Sequence, residues 1–242
     1  LAGRIAFVEL HPLNLAEVAD EKTPVQLTVD QLHLRGGFPD SYQSPDDAAS
    51  LLWRQNFIRT YLQRDIPQFG PRIAEETLRR FWTMLAHLHG GLLNAAAISR
   101  SLGIDNKTVV NYLDLMVDLL LVRRLPPWHA NVGKRLVKSP KVYVRDSGIC
   151  HALLNITGPE QLLSHPKLGD TYEGFVIENI LSVTDSAEAH FYRTAAGAEI
   201  DLVLPTAKGL CAIEIKRSTA PKVSRGFHIA CEDLKPAQRL VV

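Results

Sequence analysis

Four side chains in the last third of the chain could carry hydrolytic chemistry: Glu173, Asp201, Glu214 and Lys216. In Glu199-Ile-Asp-Leu-Val-Leu204 the apolar Ile200, Leu202 and Leu204 alternate, so on a strand they share one face and Asp201 projects from the other. The same period in Cys211-Ala-Ile-Glu-Ile-Lys216 gives Cys211, Ile213 and Ile215 one face and sets Glu214 beside Lys216 on the opposite one. Pro205-Thr-Ala-Lys-Gly209 reads as the turn of an antiparallel pair, and counting back from it places Asp201 within about one residue of facing Glu214. Adjacent carboxylates repel unless a cation lies between them, and hard oxygen donors of this number suit Mg2+ or Mn2+. Such an ion polarises a phosphodiester and acidifies its bound water, while Lys216 stabilises developing charge. The plain alternative is a surface i, i+2 pair on an amphipathic strand.

These strands need a helix against them. Leu168 to Leu181 has helical spacing, with Glu173 on the stripe of Val176, Ile177 and Ile180, so Glu173 is expected to point at the sheet as a further acid. Glu178 shares its stripe with Thr171, Ser182 and Asp185 and is expected to face solvent. Strands at His190–Thr194 and Arg239–Val242 and a helix between Lys222 and Glu232 complete an α/β layer. His87, His89 and His228 lack ligand spacing, and Trp53, Trp82 and Trp128 read as packing residues.

Upstream, residues 1–40 suggest a strand (Ile5 to Leu10), a short helix near Leu15 and a turn at Leu34-Arg-Gly-Gly-Phe-Pro39, and residues 46–69 a helix. Residues 75–122 read as three helices. The last starts after Gly103-Ile-Asp105 with Asp105 as N-cap, a helix-turn-helix pattern that exposes Asn106, Lys107, Thr108 and Asn111 at its start. Strands at 121–125 and 141–145 then form a wing, bridged by a loop with Lys134, Arg135 and Lys138. The sequence thus predicts a winged helix-turn-helix. From Arg123 to Arg145 there are seven Lys or Arg and no acid, a run that could neutralise phosphates or be a solvated hairpin surface. Gly158-Pro159 and His165-Pro166 mark a linker.

The chain's 242 residues allow more than one core, and its boundaries are expected near 1–70, 71–150 and 160–242. Apolar residues make up 46% and charged ones 22%, with no stretch long enough for a membrane helix. Three widely spaced cysteines suit a reducing cytoplasm rather than a disulfide framework or a zinc site. A net charge of +1 makes any nucleic-acid surface local. The opening Leu1-Ala-Gly-Arg4 without a Met and the close inside Arg239-Leu-Val-Val242 read as those of a fragment.

Together, Leu1-Ala-Gly-Arg4, Leu10-His-Pro-Leu13, Arg35-Gly-Gly-Phe-Pro39, Tyr61-Leu-Gln-Arg-Asp-Ile66, Gly133-Lys-Arg-Leu-Val-Lys-Ser-Pro140, Tyr172-Glu-Gly-Phe-Val176, Gly197-Ala-Glu-Ile-Asp201 and Glu214-Ile-Lys216 give a family resemblance. The chain resembles the C-terminal two-thirds of a prokaryotic AAA-type ATPase with a C-terminal domain of unknown function, restriction-endonuclease-like in fold. The resemblance implies that residues 1–70 are a remnant of the ATPase core or lid, and that a PD-(D/E)xK nuclease-like domain follows the winged helix. In it Asp201, Glu214 and Lys216 match the nuclease signature, Asp201 and Glu214 as metal ligands, and Glu173 matches the helical acid. Arg4 and Arg64 become candidates for nucleotide sensing. No G-x4-G-K-[ST] occurs, so ATP belongs only to the absent N-terminal core. The expected partners are DNA, held through Lys107, Thr108, Asn111, Lys134, Arg135 and Lys138, and a second copy held through the ATPase region, with no membrane. Three readings stay open: a DNA-binding module that cleaves with a divalent metal, a non-catalytic DNA- or protein-binding regulatory module coupled to an ATPase, or an interaction scaffold that binds no nucleic acid.

Overall fold

The computed structural model describes residues 4, 8–69, 74–130, 132–184, 188–218 and 220–242. The chain is mixed α/β, with two separate sheets. Short α1 (Leu15–Val18) and α2 (Val25–Arg35) lead to α3 (Pro39–Tyr42) and α4 (Asp47–Thr60). α4 continues through a π-helical turn, Tyr61–Asp65, into α5 (Ile66–Phe69). Then come α6 (Glu75–His87), α7 (Ala95–Leu102) and α8 (Asn106–Asp118), whose N-caps Asn94 and Asp105 accept from the backbone of Ala97 and Thr108. β1 (Val122–Leu125) pairs antiparallel with β2 (Lys141–Val144), and α9 (Ser147–Leu153) and α10 (Pro159–Ser164) follow. α10 occupies the expected linker: Pro159 opens it, where a missing N–H costs nothing. The expected strand at 5–10 falls partly on residues 5–7, outside the described residues, and 8–10 carry none.

One apolar cluster joins Leu34, Ile58 and Leu62 with Phe81, Trp82, Leu113, Val144 and Ile149. The early helices therefore share a core with α6 to α9. α2 meets α9 backbone to backbone: a Cβ on Gly148 would lie 2.1 Å from the Arg35 carbonyl oxygen.

The second sheet has the order β3-β4-β5-β6, from β3 (His190–Arg193), β4 (Glu199–Thr206), β5 (Gly209–Glu214) and β6 (Gln238–Val241). The first three strands are antiparallel, and β6 returns parallel to β5 through α12 (Arg225–Leu234). α11 (Leu168–Ser182) covers one face with Phe175, Val176 and Ile177 against Leu202, Ile213 and Ile215. α12 covers the other, with Phe227 and Ala230 against Ile200, Val203 and Ala212. Ile200 and Leu202 thus sit on opposite faces, not one. A bulge causes this: the β3 register changes between His190↔Val203 and Tyr192↔Ile200, which inserts one extra residue into β4.

α11 also packs on the helical body, around three buried imidazoles. His33 of α2 contacts the Thr171 hydroxyl at 3.3 Å, His151 of α9 lies 5.0 Å from the His33 ring, and His89 accepts from the Val144 N–H. His89 approaches so closely because position 174 is glycine: a Cβ there would be 2.3 Å from Nε2. Burial holds His33 and His89 down at about 3 and His151 well below its usual range.

Two outcomes follow from this packing. Gly148→Ala should destabilise by about 3 kcal/mol in urea unfolding, because the obstacle is backbone. The unfolded chain protonates these histidines below about pH 6.5 while the folded chain keeps them neutral. Their contribution is complete above 6.5 and drains towards about 3, by about 2 kcal/mol for one such histidine at pH 5. Asp146, Glu173 and Asp201, raised mainly by burial, act in the opposite sense, so stability should still fall between pH 7.5 and 5 but by less than the histidine sum. An urea midpoint that stays level over that interval contradicts the histidine account.

Candidate functional site

The register Leu202↔Ile213, taken one step further, sets Asp201 opposite Glu214. Both are buried, 7% and 3% exposed, which few carboxylates are without partners. Lys216, just past β5, supplies one: its Nζ lies 2.9 Å from Glu214 and 3.9 Å from Asp201. The segment after β5 is fixed from two sides, by the Lys216 N–H donating to the Val242 carbonyl and the Ile215 N–H donating to Asp201 Oδ2 at 2.8 Å. Ser224, the N-cap of α12, donates to Glu214 Oε1 at 3.3 Å.

Glu173 enters from α11, as its stripe predicts, and meets a residue of the other sheet. Lys141 of β2 is 3% exposed and places its ammonium 2.9 Å from Glu173 and 2.7 Å from Glu199. The Tyr143 hydroxyl, two residues along the same strand, donates to Glu173 Oε1 at 2.5 Å. Burial pulls the Lys141 ammonium down, but Glu173, Glu199 and Asp201 outweigh it and hold the group well above the usual lysine range. Burial raises Glu173 and Asp201, opposed chiefly by Lys141. Lys216 is held above its usual range by Glu214 and Asp201 against its own partial burial.

Glu173, Asp201, Glu214 and Lys216 are therefore gathered in one place. Lys141, Tyr143, Glu199 and Ser224 belong with them and were not singled out from sequence. The signal was present in Lys141-Val-Tyr-Val144: a lysine and a tyrosine two apart share a strand face in a segment otherwise apolar. A divalent ion does not fit the cluster as it stands. Each acid already holds a lysine, and among the described residues no group of three or more His, Cys, Asp or Glu is arranged to bind a metal.

The remaining expected residues lie elsewhere. Thr108 donates to the Asp105 cap, and Lys107 and Asn111 are exposed on α8. Arg64 is exposed and bonded to Asp65 at 2.8 Å; Arg4 is exposed. Glu178 does not face solvent: it is bonded by Arg123 and by Arg145, because α11 lies between its sheet and the β1–β2 pair.

The same contacts overturn DNA as the expected partner. Of the seven cations between Arg123 and Arg145, five are taken by carboxylates of the chain: Arg123 and Arg145 by Glu178, Arg124 by Asp114, Lys134 by Asp233, and Lys141 by Glu173 and Glu199. The loop carrying Lys134, Arg135 and Lys138 runs along β3, with backbone bonds from Trp128 to Phe191, Ala195 to Arg135 and Val137 to Arg193, instead of projecting as a basic wing. A run neutralised by its own protein does not supply the phosphate-binding surface read from charge alone. A second copy bound through residues 1–70 is corrected likewise, since Leu34, Ile58, Leu62 and Ile66 of this segment are buried in the core shared with α6 to α9.

Fold and site define a two-sheet α/β protein whose halves meet at a buried cluster of acids and lysines. The chain belongs to the family described as Domain of unknown function (DUF8612), whose profile matches residues 26–160. Residues 168–242 match a second profile, Domain of unknown function (DUF4143). The chain is 41% identical over its whole length to Uncharacterized protein Rv2008c of Mycobacterium tuberculosis and, equally, to Uncharacterized protein Mb2031c of Mycobacterium bovis. It spans about half the length of these curated relatives, 54% of each. No solved structure matches it. Among the described residues no helix is long and apolar enough to cross a membrane.

Lys141→Met should cost about 3–5 kcal/mol, because it strands Glu173 and Glu199 without their buried cation. Lys216→Met should cost less than half of that, since Lys216 is 38% exposed and solvent screens its pairs. Equal losses in guanidinium unfolding would contradict the ranking.

Proposed function

We propose that this chain is the non-catalytic, regulatory part of a longer AAA-type ATPase, with a winged helix-turn-helix in its middle and a restriction-endonuclease-like fold at its end. Support for the winged helix comes from the order α6, α7, α8, β1, β2, and for the nuclease-like fold from α11 laid across a sheet whose central strands carry Asp201 and Glu214. The ATPase rests on the family resemblance and on relatives about twice as long as this chain.

The observation that carries the reading is Lys141. An ammonium from the helical half is inserted among acids of the α/β half, so the cluster acts as an internal lock between the two. The segment ahead of α1 is tied to the same helix: Arg145 bonds Glu9 and Glu178, and the Leu15 N–H donates to Asn179 at 2.8 Å. Movement of that segment would therefore bear on α11 and Glu173. That is a contiguous physical route of the kind coupling between sites needs.

A second reading is favoured by the convergence of Asp201, Glu214 and Lys216, which could serve metal-dependent phosphodiester hydrolysis with Mg2+ or Mn2+ if Lys216 left the acids. The two readings differ in calorimetry with each cation and in turnover of bis(p-nitrophenyl) phosphate. The regulatory reading predicts no binding at the cluster and no hydrolysis. Hydrolysis that Asp201→Ala abolishes would replace it with the second. In the full-length protein, the regulatory reading further predicts that Lys141→Met changes ATP turnover by about fivefold or more, and an unchanged rate contradicts it.

A further inference from the structure

Away from the acid cluster, α4, α6 and α9 converge on an open cleft of about 480 Å3, within the size range of small-molecule sites. α4 presents Leu52, Asn56 and Arg59 to it, at i, i+4 and i+7 on one stripe. α6 presents Arg79 and Thr83 one turn apart, and the end of α9 adds Leu153 and Asn155. Asn155, which lines the cleft, stands in the left-handed region at φ 58, which asparagine tolerates better than most residues.

The charge at this cleft is one-sided. Several arginines elsewhere are matched with acids: Arg35 with Asp47, Arg123 and Arg145 with Glu178, Arg124 with Asp114, Arg217 with Asp30. In the cleft, two arginines share one space and no acid lines it. Arg59 donates to Asn56 Oδ1 at 2.6 Å, which fixes one edge of its guanidinium and leaves the other donors free. Arg79 follows Glu75 by one turn, yet Glu75 accepts from Gln63 instead, and among the described residues neither arginine has a carboxylate within ion-pair distance. Two like charges facing one cavity repel, and an anion between them removes that repulsion. Beside them Leu52, 59% exposed, and Leu153 offer an apolar floor.

We propose that this cleft binds a small organic oxyanion, a phosphate or carboxylate attached to an apolar body. Arg59 and Arg79 take the oxygens through their forked donors, Thr83 and Asn155 complete the polar rim, and Leu52 and Leu153 carry the body. The site is independent of the acid cluster and of the regulatory reading.

The test uses the whole chain at low ionic strength with phenyl phosphate, benzoate and phenol as probes, followed by calorimetry and by ligand-observed NMR. Phenyl phosphate or benzoate should bind and phenol should not, and which of the two binds tighter identifies the oxyanion. Arg59→Gln and Arg79→Gln should each weaken binding by about tenfold, and the double variant should abolish it. Both positions are at the surface of their helices, so the double variant should keep the unliganded thermal midpoint and circular dichroism, which separates loss of the site from loss of the fold. Absence of binding by both anions at about 10 mM, equal binding of phenol, or full binding by a folded double variant overturns the proposal.

Discussion

A single buried ammonium is the constraint on which the arrangement depends. Taking Lys141 out of water costs several kcal/mol, and the fold offsets that only by delivering two carboxylates to it, Glu173 from α11 and Glu199 from β4, with the Phe191 ring 5.5 Å away. Those acids are distant in sequence from Lys141 and from each other, so the lysine can be satisfied only when the β1–β2 pair, α11 and the four-stranded sheet are already in place. The cluster thus rewards the complete structure and penalises any partial one. The Tyr143 hydroxyl on Glu173 and the Lys216 bridge on Asp201 and Glu214 extend the same logic outward, so that every buried acid in the cluster has a cation or a donor.

Neutralisation within the chain also explains why local charge misleads. Read as sequence, Arg123 to Arg145 is a basic stripe. Folded, most of it is the cationic half of contacts whose acidic half comes from α8, α11, α12 and β4. Glu178 looked outward by its helical stripe only because a helix has one buried face when it has one neighbour. α11 has two, the sheet on one side and the β1–β2 pair on the other, and its second face needs an acid for Arg123 and Arg145.

What the sequence made legible follows from periodicity. Glu173 on the apolar stripe of α11, and Asp201 facing Glu214 across a hairpin, came from periods of 3.6 and 2 and from one turn. The helix after Gly103 was marked by its cap Asp105. The β4 bulge was not legible, since nothing in Ile200-Asp-Leu202 announces an extra residue, and it reverses the face of Ile200. α2 was missed because its buried side includes His33 and Arg35, polar residues satisfied by Thr171 and Asp47 rather than by an apolar stripe. Lys141 was missed for a similar reason: a lysine inside a strand reads as exposed until two carboxylates are known to converge on it.

Amide hydrogen exchange on Lys141→Met, compared with the parent chain under native conditions, addresses the lock most directly. If Lys141 holds the halves together, protection should fall together in β2, across the Glu173 turn of α11 and at the start of β4 near Glu199, while α6 and α8 keep theirs. Exchange that rises only at the substituted strand, or evenly over the whole chain, would mean that the ammonium is a local packing detail and not the tie between the two halves.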